Sequence, residues 1–73
     1  MMNKKQIIKL LEKKFVENHN MMDRENESRN YERASSYAGI SCEIAEILAE
    51  INETSIDGEL ERLYKKFNLY KGE

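Results

Sequence analysis

Five bulky apolar residues, Tyr37, Ile40, Ile44, Ile47 and Ile51, recur at a 3-4-3-4 spacing in the middle of this chain. That period belongs to an α-helix with one packed stripe, the seam of a coiled coil or tight hairpin. A strand would alternate every second residue, and no segment of the sequence does so. The chain has 73 residues and no proline, so no proline breaks a helix from within. At this length we expect a single helical domain over 1–73: an all-α bundle or hairpin of three helices with a long central one.

Three segments carry the helical pattern. The first is expected at about 3–18, with Asn3 as N-cap and Gln6 completing a variant capping box. Ile7, Ile8, Leu11 and Phe15 share one face there, and Lys4, Lys5, Lys9 and Lys13 cover the outside. Asn18, His19, Asn20 and Asp23 favour turns, so a helix–helix connection is expected at 18–23. Asp23 would cap the second helix, at about 24–52, with Glu25 and Glu27 near its positive end. The third is expected at about 56–68. Ser55 or Asp57 would cap it, and Lys65, Lys66 and Lys71 would sit near its negative end. Leu60, Leu63, Tyr64 and Phe67 form its apolar face, and Leu69 and Tyr70 would fold back. The expected core is Ile7, Ile8, Leu11, Phe15, Ile40, Ile44, Ile47, Leu48, Ile51, Leu60, Leu63 and Phe67.

The central helix carries two further stripes. Ser35, Ala38, Cys42, Ala45 and Ala49 are all small, which lets a neighbouring backbone approach. Gly39, beside them, points to close packing or a local kink, because glycine costs about 1 kcal/mol relative to alanine inside a helix. Glu43, Glu46, Glu50 and Glu53 form an acidic stripe, continued by Asp57.

Charge is strongly segregated. Residues 34–61 hold seven acids and no lysine or arginine, whereas 1–18 and 62–73 each carry a net charge of +3. Like charges three or four apart on a helix cost roughly 0.2–0.5 kcal/mol per pair. Two accounts offset that cost: the basic first and third helices lie alongside, or the acidic ridge meets a basic surface on a partner. In the second account Glu43, Glu46, Glu50, Glu53 and Asp57 are the contact residues. The expected function is then that of a non-enzymatic binding protein that blocks or modulates its partner. A basic surface that normally holds nucleic acid would suit such a ridge. Direct nucleic-acid binding by the ridge is excluded, because phosphate contact needs clustered cations. The alternative is a self-associating regulatory or structural module. Its homodimer interface would comprise Tyr37, Ala38, Ile40, Cys42, Ile44, Ala45, Ile47 and Ile51.

Other chemistries find little footing. One cysteine precludes an internal disulfide, and one histidine precludes an ordinary Cys/His zinc site. His19 reads as a solvated or capping turn residue, and Cys42 as a small packed one. No glycine-rich phosphate loop is present, so no metal or cofactor is expected. No apolar run approaches the ~20 residues of a membrane span. The lysines after Met1 and Met2 lead into no apolar h-region, so a cytoplasmic location in a bacterial host cell is expected.

Two resemblances add to this reading. Ile56-Asp57-Gly58-Glu59-Leu60-Glu61-Arg62-Leu63 resembles the Ser-x-Glu-Leu-Asp signature of small helical-hairpin phosphatases that dephosphorylate sporulation response regulators. Gly58 replaces the serine-side polar residue and Glu61 stands where the family's catalytic aspartate would be, so the activity is not carried over. In size, composition and acidity the chain also resembles small helical proteins of phages and mobile elements of low-GC bacteria. That class includes anti-CRISPR and other anti-defence inhibitors, which implies direct binding to a bacterial effector.

Overall fold

The computed structural model describes residues 1–69 and forms a three-helix bundle. Helix α1 spans Lys4–Glu27, α2 spans Tyr31–Asn52 and α3 spans Ile56–Lys66, with no strand among the described residues. The expected folding back of Tyr70, and Lys71 at the end of the third helix, lie outside those residues. Two N-termini form as the sequence dictates. The Asn3 carboxamide oxygen accepts from the Gln6 amide and the Gln6 side chain accepts from the Asn3 amide, both at 2.9 Å. The Ser55 hydroxyl accepts from the Gly58 amide at 3.0 Å. Each bond satisfies an amide that has no partner within its helix.

The first connection is not where local propensity puts it. Residues 18–23 are helical, and α1 continues to Glu27. Asp23 is therefore no N-cap, and Glu25 and Glu27 close α1 instead of opening α2. The expected second helix at 24–52 begins only at Tyr31, after Asn30, whose side chain makes no capping bond. The reason is tertiary. Phe15, His19 and Met22 continue the inward stripe at a 4-3 spacing, and burial of that stripe outweighs the turn preference of the asparagines. Asn18 answers its own polarity by donating to the Lys14 carbonyl at 2.9 Å.

All three helices stop in the same way, with a left-handed residue that is not glycine: Arg29, Glu53 and Asn68. The next amide reaches back five residues each time, Asn30 to Glu25, Thr54 to Ala49 and Leu69 to Tyr64, at 2.8–2.9 Å. This is the Schellman closure, which satisfies carbonyls stranded at a helix end. It ends α3 at Lys66, two residues before the expected limit, and turns Leu69 onto the core. The short link at residues 28–30 makes α1 and α2 antiparallel neighbours.

The central cluster is Phe15, Ile44, Ala45, Leu48 and Leu63, with Ile8, Leu11, Leu60, Tyr64, Phe67 and Leu69 packed against it. Four expected core residues lie outside it: Ile7, Ile40 and Ile47 are exposed and Ile51 is half-buried. The inward line of α2 runs instead through Ala34, Ser41, Ile44, Ala45, Leu48 and Ala49. Four of those six residues are small: Ala34, Ser41, Ala45 and Ala49. The small stripe is thereby rotated: Ser35 and Cys42 face out, while Ala34 and Ser41 take their place.

Gly39 serves neither close packing nor a kink. Helix α2 runs unbroken through it, and a Cβ built there meets nothing within 4 Å. Gly39→Ala is therefore expected to stabilise the fold by about 1 kcal/mol, through intrinsic helix propensity and a less flexible unfolded chain. Urea denaturation checks this. A midpoint that stays put or falls would mean that glycine is needed there.

Candidate interaction surface

The acidic stripe forms as a surface feature. Glu43, Glu46, Glu50 and Glu53 are exposed on α2 and at its end, and Asp57 is exposed in the first turn of α3. Among the described residues, none of the five forms an ion pair. Of the eight other described acids, six are paired and Glu27 and Glu32 are not in an ion pair. Glu12, Glu17, Asp23, Glu25, Glu59 and Glu61 each lie within 4.0 Å of a cationic or titratable nitrogen. The cations of α3 that sequence reasoning could set against the ridge are spent elsewhere. Arg62 and Lys66 turn to Glu12 and Glu59, and Lys65 to Glu61 at 3.1 Å.

Ile40 and Ile47 are 43% and 45% exposed on the same helix, one heptad apart. Glu43 and Glu50 follow each of them by three residues, so isoleucine and glutamate alternate along one face at a 3-4-3 spacing. Tyr37 and Ile51 continue the apolar line half-buried at either end. The proposed homodimer set therefore divides: Ile44 and Ala45 lie in the core, Tyr37, Ala38 and Ile51 are half-buried, and Ile40, Cys42 and Ile47 are exposed.

A second cluster, missed in the sequence, is internal. Glu12 is 4% exposed and Glu59 2%. Arg62 lies between them, with Nη1 donating to Glu12 Oε2 and Nη2 to Glu59 Oε1, both at 2.7 Å. Lys66 Nζ reaches Glu12 Oε1 at 3.1 Å, and Thr54 and Asn52 donate to Glu59. Burial alone would push both carboxyls up. The hydrogen bonds and positive charge outweigh it: Arg62 and Lys66 hold Glu12 below the ordinary carboxylate value, and Thr54 and Arg62 do so for Glu59. The signal in the sequence is positional. Glu12 falls four residues after Ile8 and three before Phe15, and Glu59 four before Leu63. Both occupy the inward stripe, where a carboxylate is buried only if paired.

His19 is likewise buried, not solvated in a turn. Its Nε2 lies 3.5 Å from Asp23 Oδ2, one helical turn on, and its ring meets Tyr64 edge-on at 5.3 Å. It borders neither of two surface hollows. Those are open depressions of about 320 and 210 Å³, lined by Asn30, Glu32, Arg33 and Ser36, and by Met22, Asn26, Tyr31, Ala34, Ser35 and Ala38. The serines there have no imidazole beside them, and nucleophilic chemistry needs a base within hydrogen-bond reach. In the segment that resembles the phosphatase signature, Glu59 is buried in the ion network and Glu61 is paired on the surface.

Among the described residues, no three His, Cys, Asp or Glu side chains converge as metal ligands, and no helix is long and apolar enough to cross a membrane. No protein-family model, curated protein or solved structure matches this chain.

Proposed function

We propose that this protein is a non-enzymatic binding module whose α2 ridge docks on a basic surface of a partner macromolecule and blocks or modulates it. One observation carries the reading: the ridge carboxylates Glu43, Glu46, Glu50, Glu53 and Asp57 stand exposed without an ion pair among the described residues, while most other acids are paired. A line of uncompensated charge costs stability in the free protein and gains it back against positive potential. The partner we envisage is a bacterial protein with a surface shaped for nucleic acid. The ridge would occupy it as a phage-type inhibitor of a defence effector does, in the host cytoplasm.

The test is a charge reversal. Glu46→Lys/Glu50→Lys is expected to keep its helical circular dichroism and to lose the proteins that the wild-type chain captures from a low-GC bacterial lysate. For any captured partner, association should slow by at least about tenfold at low salt, since steering acts on the encounter rate. An unchanged capture pattern with a folded variant would remove the ridge from the account.

A further inference from the structure

The acidic ridge is not purely acidic, and its apolar part narrows the chemistry of what it meets. Ile40 and Ile47 leave nearly half their surface in water, although they belong to the most regular apolar stripe of the sequence. Exposed apolar side chains are ordinary when scattered singly. These two are one heptad apart, and Tyr37 and Ile51 extend the line to about 21 Å at 1.5 Å per residue. Glu43, Glu46, Glu50 and Glu53 run beside this line. On a helical wheel at 100° per residue Glu43, Glu46 and Glu50 fall to the same side of Ile40 and Ile47, and Glu53 follows as the left-handed residue that closes α2. Upstream on that side stand Ser36 and Gly39, and a Cβ at Gly39 would meet only open space, so the relief is low.

We infer that the ridge receives an amphipathic basic helix, one that packs an apolar stripe between Ile40 and Ile47 and sets lysines or arginines against the glutamates. This inference rests on the reading that the ridge meets positive charge, and it goes further by specifying the partner surface. The heptad interval is the reason for a helix. Side chains seven residues apart on one helix present knobs at the repeat of a second helix packed alongside at a shallow angle. The glutamates then stand where flanking charges choose the partner in a coiled coil. A bare phosphate-binding channel would leave the two isoleucines against polar groups. A second copy packed α2 on α2 would set acidic ridge against acidic ridge, a like-charge juxtaposition that opposes association.

The experiment uses the full chain and two synthetic probes of equal charge. One is a 21-residue peptide with leucine at heptad positions a and d, lysine at e and g, and glutamine elsewhere. The other replaces every leucine with glutamine. Titration calorimetry near 0.1 M salt, with amide chemical-shift mapping, is expected to show the leucine peptide binding at least about tenfold tighter, with shifts centred on Ile40–Ile47. Ile40→Gln/Ile47→Gln, both at exposed helix sites, should keep the fold and bring the two peptides to equal affinity. Glu43→Lys/Glu50→Lys should abolish binding of both. Equal affinity of the two peptides for the wild-type chain would overturn the inference and leave the ridge as an electrostatic surface. Failure of both peptides to bind would sink the inference and the underlying reading together. A wild-type dimer in solution that Ile40→Gln/Ile47→Gln dissolves would assign the face to a second copy and overturn the basic helix.

Discussion

Arg62→Ala is expected to lower the unfolding free energy by about 3–5 kcal/mol, the range for stripping one partner from a buried ion pair. A core this small supplies roughly that much net stability, so the variant should be largely unfolded at 25 °C. The cause is the orphaning of two buried carboxylates at once, since Arg62 bridges Glu12 on α1 and Glu59 on α3. Adding Glu12→Gln and Glu59→Gln should recover part of the loss, because neutral amides carry no unpaired charge. Thermal melts followed by circular dichroism measure both. A loss under about 1 kcal/mol would show that water or Lys66 already compensates the pair.

The same network fixes the sign of the pH dependence. Both carboxyls are held below their ordinary value of 4.5 in the folded protein. Their contribution is therefore fully present above that value and is lost as pH falls through the lower folded-state values. The wild-type melting temperature should therefore fall as pH drops below 4.5, and the triple variant Glu12→Gln/Glu59→Gln/Arg62→Ala should lose part of that acid sensitivity. A melting profile that falls in parallel for both proteins would contradict the assignment.

Phe15→Ala is the second large effect, at about 3–5 kcal/mol. Phe15 is fully buried, and its ring lies 6.3 Å from that of Tyr64 at 57°, so it joins α1 to α3. Ile47→Ala, at a position the sequence pattern ranks equally as core, should cost under about 1 kcal/mol, because nearly half its surface is already in water. Urea denaturation of the two variants side by side is the check. Equal losses would mean that Ile47 is covered in solution and that the free face of α2 is not free.

The helical class, the capping box at Asn3, the cap at Ser55 and the end of α2 at Asn52 were legible because each depends on residues a few positions apart. The acidic stripe was legible for the same reason: it is one helix's own periodicity, and all of its members emerge exposed. The connection at 28–30 was not, because 18–23 carries turn residues whose local preference yields to burial of His19 beyond Phe15. The pairing of Glu12 with Arg62 spans 50 residues of chain, and no local spacing announces it.

Sequence periodicity alone thus determined that residues 37–51 form a helix and that its carboxylates line one edge, since both follow from 3.6 residues per turn. Only the tertiary structure decided which of that helix's stripes turns inward. The inward line of α2 runs through Ala34, Ser41, Ile44, Ala45, Leu48 and Ala49, and turning that line inward leaves Ile40 and Ile47 in water. Glu12 and Glu59 are buried as well, which low-dielectric surroundings tolerate only because Arg62, three residues after Glu59 on α3, reaches across to Glu12 on α1 and bonds both.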